Sequence, residues 1–281
     1  MASAAPAPGS GPRLLLITGA AGRIGTFYRR HLHASGQVGD APGQWRLRLT
    51  DVRRPEDVDP ADELIAGETE DLADLEVARR LVAGAAAVVH LAADPSPRAD
   101  FYASLLDRNV KAPYNILHAG VEAGVRRVLL CSSINAVNGY PADRQVRASD
   151  NAFPGNIYGA TKAFSEALGG AFVTLHPGFS AVAVRIGGVR HPDQLRARPP
   201  DVQRGATVQA GPNLNDVRAI TVTLPDLSQL FDRCLAAGPE LTFAVVNGIS
   251  NNRSLRMDLE ETRRLVGYDP QDDGFDDWSQ R

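Results

Sequence analysis

Residues 13–25 read RLLLITGAAGRIG, and this stretch decides the fold. Its first six residues form a mostly apolar run closed by glycine, which is typical of a strand buried on both faces of a parallel sheet. Gly19, Gly22 and Gly25 follow, and helical spacing begins at Arg23. Turns and close helix packing also require glycine, but the position between a strand and a helix favours a loop that approaches a pyrophosphate. The stretch predicts the start of a Rossmann dinucleotide-binding domain.

Strands and helices alternate along the rest of the chain. The sequence predicts further strands at 45–50, 86–91, 127–131, 181–186 and 241–246, and helices at 23–34, 75–82, 102–123, 158–168, 227–237 and 258–266. Pro113 predicts a kink or an unusual first turn in the third of these helices. This alternation predicts an α/β protein with a doubly wound parallel sheet of the Rossmann type and a small C-terminal substrate-binding region.

The composition divides the chain into three parts. Residues 1–12 are rich in Ala, Pro, Gly and Ser and are predicted to be a disordered tail, while 13–186 form the dinucleotide-binding domain. Residues 187–281 are predicted to be a small substrate-binding region that partly returns to the sheet. Within it, 187–215 lack periodicity, which favours a substrate loop or lid. The acidic stretch 269–277 is predicted to be a solvated tail or a lightly packed edge.

Composition also limits the partners. The 281 residues carry a net charge of −3 and no run of like charges, so nucleic acid is not an expected partner. No apolar stretch approaches the ~18 residues of a membrane span. Cys131 and Cys234 stand far apart in apolar surroundings, which predicts free thiols and no metal site. A cytoplasmic protein is the expectation that follows.

Acidic residues near the predicted sheet edge suggest the cofactor. Asp51 ends the second strand, where a carboxylate can accept hydrogen bonds from an adenosine ribose and would repel a 2′-phosphate, so NAD is predicted. A loop carboxylate or helix cap is the alternative. Arg53 and Arg54 could pair with a 2′-phosphate, so NADP stays open. Asp71 could meet the adenine amino group together with Leu72, or could cap the next helix.

The strongest chemical signal is Ser132-Ser133 after one strand and Tyr158-Gly-Ala-Thr-Lys162 at the start of a helix. Tyr158 and Lys162 are one helical turn apart and share a face. Lys162 is one of only two lysines in the chain, which suggests that an adjustable ammonium is kept there. Lowered in pKa, the phenol could take a hydroxyl proton as hydride leaves, while Ser133 polarises the oxygen. The alternative is a half-buried aromatic beside a solvated lysine.

These motifs, with AVVHLAA at 87–93, RNVKAPYNIL at 108–117 and LLCSSINAV at 129–137, resemble the extended short-chain dehydrogenase/reductase family, also called NAD-dependent epimerase/dehydratases. The resemblance covers about 13–272. It implies a catalytic triad of Ser133, Tyr158 and Lys162, with His90 on the nicotinamide or ribose side. The residues implied to contact the cofactor are Gly19, Ala21, Gly22, Arg23, Ile24, Gly25, Asp51, Asp71, Leu72, Leu91, Ala92, Ala93, Asn109, Tyr158 and Lys162. The residues implied to face the substrate are Ser96, Ser133, Ile134, Asn135, Gly188 and Arg218.

Within the family, the stretches CSSINAVNGYP, VRIGGV and LVGYDP are most similar to the uronate dehydrogenases, which oxidise C1 of a hexuronic acid to a lactone. Arg218 is the implied partner of a substrate carboxylate or ring oxygen. The chain departs from this subgroup where Ile134 and Asn135 replace Asn and His, and where Gly188 replaces a serine. The redox apparatus is therefore retained, but the substrate-facing residues differ.

Three functions are consistent with these residues. The first is NAD-dependent oxidation of a hydroxyl of a sugar, sugar acid or polyol. The second is an epimerase that uses transient oxidation of a nucleotide sugar or other activated sugar, and the third is a regulatory protein that binds NAD(P)H without catalysis. The chain is short for a nucleotide-sugar pocket, which favours the first. The resemblance also implies a homodimer formed through helices 102–123 and 158–168.

Overall fold

A seven-stranded parallel sheet forms the centre of the protein. A computed structural model describes residues 11–67, 71–191 and 217–276. The strands are β1 (Arg13–Thr18), β2 (Trp45–Asp51), β3 (Glu63–Ala66), β4 (Ala87–His90), β5 (Arg127–Ser133), β6 (Ser180–Ile186), β7 (Gly188–Arg190), β8 (Thr221–Thr223) and β9 (Phe243–Gly248). The order in the large sheet is β3-β2-β1-β4-β5-β6-β9, while β7 and β8 pair separately. The predicted doubly wound parallel sheet is confirmed.

Helices cover both faces of this sheet. They are α1 (Arg23–Ala34), α2 (Leu75–Val82), α3 (Ala112–Glu122), α4 (Ile157–Leu175), α5 (Leu224–Ala236) and α6 (Glu260–Val266). In β1, Leu15 and Ile17 face a core shared with α1 and α5, whereas Leu14 and Leu16 face a core shared with α2, α3 and α4. The alternation of side chains along a strand thus divides the apolar residues between two layers.

The helix predicted at 102–123 has two parts. Phe101–Lys111 is wound as a π-helix, and α3 follows from Ala112. Pro113 lies in the first turn of α3, directly after the change from π- to α-helical winding. The unusual turn that this proline predicted is therefore present, as a change of helical winding.

The structure departs from the sequence predictions in several places, among them the unpredicted short strands β7 and β8. The four-residue strand β3 was not predicted, and α4 runs seven residues beyond its predicted end. The acidic stretch 269–277 is not a solvated tail over the residues described, since the backbone N–H groups of Gln271 and Asp272 both donate to the buried Asp226 carboxylate. Residues 1–10 of the predicted N-terminal tail lie outside the described residues. The same holds for the predicted lid from residue 192 onward, since 192–216 are not described.

A buried ion pair joins β6 to α4. The Arg185 guanidinium donates to both carboxylate oxygens of Glu166 at 2.9 and 2.8 Å, and both side chains are almost fully buried. The Ser132 hydroxyl donates to the same carboxylate at 2.6 Å. Arg185 also donates to backbone carbonyls of the 147–150 loop. One carboxylate thereby connects β5, β6, α4 and this loop.

Replacing Glu166 by Ala should destabilise the protein strongly, because Arg185 would remain buried without its counter-charge. We expect a loss of about 3–5 kcal/mol in the free energy of unfolding, measured by urea denaturation. The matched control is Glu122→Ala, which removes a carboxylate from an exposed pair with Arg79 and should leave stability nearly unchanged. Equal effects of the two substitutions would contradict the structural importance assigned to the buried pair.

Candidate active site

The glycine-rich loop passes very close to the end of β4. A Cβ atom on Gly19, whose φ is +68°, would lie 2.7 Å from the Ala92 nitrogen. A Cβ on Gly25 would lie 2.4 Å from the Gly19 carbonyl oxygen, so α1 starts directly on the loop. Helix α1 has Gly22 as its N-cap, and no side chain caps its first N–H groups. These donors and the bare loop backbone suit a pyrophosphate, so the residues present fit NAD.

Asp51 stands beside this loop. One carboxylate oxygen accepts a hydrogen bond from the Ala21 N–H at 2.9 Å, and the other accepts one from the Arg53 N–H at 3.0 Å. Each carboxylate oxygen can accept a further hydrogen bond. Asp51 therefore holds the loop in place and keeps the capacity to accept from ribose hydroxyls. The Arg53 and Arg54 side chains are exposed next to it.

The residues predicted to meet adenine lie before α2. The Asp71 carboxylate accepts from the Ala73 N–H at 2.9 Å, and the N-cap of α2 is Asp74. The alternative that Asp71 caps this helix is therefore wrong. Leu72 is buried, and its carbonyl accepts from the Asn115 side chain at 2.9 Å.

A hydroxyl from β1 organises the end of β4. Thr18 Oγ1 accepts hydrogen bonds from the N–H groups of Leu91 and Ala92, both at 3.1 Å, and lies 2.9 Å from His90 Nδ1. Because its two lone pairs are used, Thr18 must donate to Nδ1, which leaves the His90 proton on Nε2. Burial, followed by the charge of Lys162, lowers the pKa of His90 to about 3. His90 is thus a neutral imidazole with a fixed tautomer.

Asn109 holds the loop that continues from β4. Its side-chain oxygen accepts from the Asp94 N–H at 2.8 Å, and its amide donates to the Asp94 carbonyl at 3.0 Å. The same amide lies 3.3 Å from Thr161 Oγ1 on α4. These contacts fix Asn109 next to the loop after β4, and Asn109 lines one cavity together with Ala92, Ala93 and Lys162.

Ser133, Tyr158 and Lys162 lie together. Ser133 ends β5, and the other two lie in the first turns of α4; each is between 7% and 8% exposed. Lys162 Nζ donates to the Cys131 carbonyl at 2.9 Å and lies 5.6 Å from the centre of the Tyr158 ring. A Cβ on Gly159 would lie 2.1 Å from the Asn135 carbonyl oxygen. Only glycine allows α4 to approach the end of β5 this closely.

The pKa values in this cluster are governed by burial. Burial raises the pKa of Tyr158, and a hydrogen bond from Ser133 acts in the opposite direction, while Cys131 and Asp94 raise it further. The sequence predicted a lowered phenol pKa beside Lys162 and a nicotinamide ring; among the protein groups alone, removal from water outweighs the neighbouring donor. Burial also lowers the pKa of Lys162 to about 8.

The predicted substrate-facing residues other than Ser133 lie in three places. Ile134 and Asn135 form the short turn after Ser133 and adjoin the catalytic cluster. Gly188 begins β7, which pairs with β8, and Arg218 lies in the turn before β8 with its guanidinium 4.4 Å from the centre of the Phe275 ring. Ser96 is in the loop after Asp94, where its hydroxyl accepts from the Arg98 N–H at 3.2 Å.

Sequence reasoning missed three residues that shape the site. Thr18 and Asp94 follow or end strands without any motif that marks them. Asn156 carried a usable signal, because it precedes α4 by one residue and asparagine is a favoured N-cap. Its side-chain oxygen accepts from the Gly159 N–H at 2.7 Å. Within the described part of the chain, no group of three or more His, Cys, Asp and Glu residues could hold a metal.

Lys162→Met should stabilise the protein near neutral pH. The pKa of Lys162 is about 8 in the folded chain against an ordinary value of 10.5. Between these pH values the unfolded chain binds more protons, so the lysine's cost to stability disappears as pH rises. Below pH 8 that cost is on the order of 3 kcal/mol. Urea denaturation should show Lys162→Met more stable near pH 7, with a gain that shrinks up to pH 10.5; Lys111→Met, at an exposed lysine, should show neither effect. A Lys162→Met protein no more stable than the original would contradict the prediction.

Comparison with known proteins agrees with this geometry. The model of the NAD dependent epimerase/dehydratase family matches residues 15–199, more than half of the chain. The chain is 31% identical to the NAD-dependent glucose-6-phosphate dehydrogenase of Haloferax volcanii, covering 92% of this chain and 93% of the relative. It is 30% identical to the L-arabinose 1-dehydrogenase (NAD(P)(+)) of the same organism, covering 66% and 74%.

Solved structures agree as well. The crystal structure of uronate dehydrogenase from Agrobacterium tumefaciens is 26% identical and superposes with a TM-score of 0.75, covering 93% of this chain and 85% of that one. The predictions of an NAD-dependent enzyme and of a likeness to uronate dehydrogenases are confirmed by these matches. The chain belongs to the NAD-dependent epimerase/dehydratase family of extended short-chain dehydrogenases.

Proposed function

We propose that the protein is an NAD-dependent dehydrogenase that oxidises the C1 hydroxyl of a free aldose, aldose phosphate or uronic acid. The observation that carries this proposal is the cluster of Ser133, Tyr158 and Lys162, in which Lys162 lines one cavity with Ala92 and Ala93, the segment that the glycine loop contacts at Gly19. Three of the relatives are named as a glucose-6-phosphate dehydrogenase, an arabinose 1-dehydrogenase and a uronate dehydrogenase, and none of these three names refers to a nucleotide sugar. They support a small sugar as substrate.

In this proposal Tyr158 is the general base. Its phenolate takes the proton of the substrate hydroxyl while Ser133 donates a hydrogen bond to the same oxygen. The Lys162 ammonium, held by the Cys131 carbonyl, stabilises the phenolate through its charge. NAD, when bound, accepts the hydride from the substrate carbon. Its positively charged ring would oppose the effect of burial on the phenol pKa, since opposite charge favours the ionised form.

The cofactor would lie across the ends of β1, β2 and β4. We propose that the glycine loop, with Ala21, Arg23 and Ile24, holds the pyrophosphate, and that Asp51 accepts from the adenosine ribose. Asp71 and Leu72 would lie at the adenine. Leu91, Ala92 and Ala93 would line the nicotinamide side together with Asn109, which lines one cavity with Ala92 and Ala93. Arg53 and Arg54 keep use of NADP open as a second possibility, since both are exposed beside Asp51.

We assign the substrate to the region after residue 186 together with the turn that follows β5. Ser96, Ile134, Asn135, Gly188 and Arg218 are the proposed substrate-side residues, and residues 187–281 the proposed substrate-binding region. A cationic group such as Arg218 suits the carboxylate of a uronic acid or the phosphate of a sugar phosphate. Its stacking on Phe275 keeps the guanidinium plane in one orientation.

An epimerase that oxidises its substrate transiently is the alternative function. It would keep its NAD bound through purification and release no reduced cofactor. The relatives named as dehydrogenases over 92% of the chain favour net oxidation. A protein that only senses NAD(P)H has no need of Ser133, Tyr158 and Lys162 together, so it is the least supported of the three.

The test is a spectrophotometric assay for reduced cofactor. The protein is mixed with NAD or NADP and a panel of aldoses, aldose phosphates and uronic acids. Tyr158→Phe should lower kcat by about 10²–10⁴-fold and change NAD affinity, measured by calorimetry, far less, because the proton acceptor is lost while the rest of the cofactor site is kept. Activity in this variant close to the original would refute the phenolate mechanism. Absence of turnover across the panel, with NAD retained in the purified protein, would favour the epimerase.

We further propose a homodimer formed through the π-helical segment, α3 and α4. Tyr102 is 81% exposed and Tyr114 is 43% exposed on the first two of these elements. The Tyr114 ring contacts Phe172 of α4, with ring centres 5.7 Å apart, so α3 and α4 share one aromatic face. Apolar surface of this kind favours association.

The free thiols of Cys131 and Cys234 suit a reducing compartment, which supports a cytoplasmic location.

Sedimentation velocity tests the dimer. The original chain should sediment as a dimer, and the double substitution Tyr102→Glu with Tyr114→Glu should give monomer, because two carboxylates cannot be buried unpaired. Val52→Glu, at an exposed apolar residue in the loop after β2, is the control and should stay dimeric. A monomeric original chain at micromolar concentration would overturn the proposal.

A further inference from the structure

Three asparagine side chains connect Ser133 to the start of α4. This asparagine cluster comprises Asn135, Asn138 and Asn156. Two of its members are anchored by backbone N–H groups: Asn138 Oδ1 accepts from Gly155 N at 2.7 Å, and Asn156 Oδ1 accepts from Gly159 N at 2.7 Å. A backbone N–H can only donate, so the oxygen and nitrogen ends of these two amides are distinguished.

The orientation of the third amide follows from the first two. Asn138 and Asn156 direct their Nδ2 groups to Asn135 Oδ1, at 3.0 and 2.8 Å. Two donors fill the lone pairs of that oxygen. Asn135 must therefore present its Nδ2 end to Ser133 Oγ, which lies 3.2 Å away. If the Asn135 amide were flipped, its Nδ2 group would face the Nδ2 groups of Asn138 and Asn156, so that donors would face donors.

Ser133 receives two hydrogen bonds from this residue. Its Oγ accepts from the Asn135 backbone N–H and from Asn135 Nδ2, both at 3.2 Å. A hydroxyl oxygen has two lone pairs and one hydrogen. With both lone pairs used, the hydrogen is the only hydrogen-bonding capacity that Ser133 has left, and the phenol of Tyr158 lies within hydrogen-bonding reach of it.

We propose that Asn135 is a positioning residue that makes Ser133 a hydrogen-bond donor only, with Asn156 fixing its orientation. The substrate oxygen can then only accept from Ser133, so its own proton must point to Tyr158. If Ser133 could also accept, the substrate hydroxyl could donate to it instead and be unavailable to the base. The inference rests on the proposed role of Tyr158 and reassigns Asn135 from binding substrate to directing its proton.

The groups around Tyr158 determine how the inference is tested. Lys162 faces it from its own helix, Cys131 from β5 and Asp94 from the loop after β4. Asn135→Asp keeps an acceptor for Asn138 and Asn156 but cannot donate to Ser133, whose hydrogen it would attract. Because the substitution also adds charge, Asn151→Asp, at an exposed residue of the loop before α4, is the matched control.

We expect Asn135→Asp to lower kcat by about 10- to 100-fold while the KM for NAD stays within about twofold of the original, as for loss of one oriented donor. The ionisation of Tyr158 should move to higher pH. This is read without substrate or cofactor, as the ultraviolet absorbance difference between each protein and its Tyr158→Phe counterpart. Asn156→Asp retains an acceptor for the Gly159 N–H and should give a smaller change in the same direction. Asn151→Asp should change neither kcat nor the titration.

Two results would overturn the inference. One is an Asn135→Asp protein that titrates and turns over like the original. The other is a fall in kcat accompanied by a lower thermal midpoint and weaker NAD binding, with the titration unmoved, since that pattern indicates a structural role. If Asn135→Asp does not fold, Asn156→Asp decides by the same measurements. Tyr158→Phe tests the base separately, so failure of the inference is distinguishable from failure of the proposed function.

Discussion

The carboxylate of Glu166 is the contact on which the geometry of the site depends. It joins Arg185 of β6 to Ser132 of β5 from a position on α4, one helical turn after Lys162. Two charges removed from water are tolerable only when each is paired and hydrogen-bonded, and the carbonyls of the 147–150 loop complete the set around Arg185. The strand that ends in Ser133 and the helix that carries Tyr158 are consequently held at one fixed separation.

Close backbone approach is the second constraint. Gly19, Gly25 and Gly159 each occupy a place where a Cβ atom would collide with a neighbouring backbone atom. The first two let the loop and α1 meet the end of β4, and the third lets α4 meet the turn after β5. The same physical requirement therefore builds the proposed cofactor side and the proposed catalytic side from two segments that are distant in sequence.

The sequence predicted the fold well because its signals are local. Apolar runs, a glycine loop and a helical repeat are each contained within one element, and these located six of the seven strands of the large sheet. Strand β3 escaped because four residues are too few to show a period, and its core-facing pattern is weak. The extension of β5 through Ser133 was also missed, since polar residues ended the predicted strand.

Contacts between distant elements could not be predicted in this way. Ser133, Tyr158 and Lys162 were identified from their motifs, but the links of Asn135 to Asn156 and of Thr18 to His90 join residues 21 and 72 positions apart. The pKa of Tyr158 was expected to fall because the spacing of Tyr158 and Lys162 reveals a neighbouring positive charge. That spacing does not reveal how far the phenol is buried. Sequence therefore indicated the chemical groups, while the direction of their hydrogen bonds required the folded chain.

The side-chain amines of the two lysines also differ in their accessibility to chemical reagents. Lys162 is buried against the Cys131 carbonyl, whereas Lys111 is half exposed on the π-helical segment. No other residue of the 281 carries a side-chain amine. An amine-directed dye, crosslinker or solid support would thus attach to side chains of the folded protein at a single defined position away from the catalytic cluster, which gives a uniform orientation without any engineered handle.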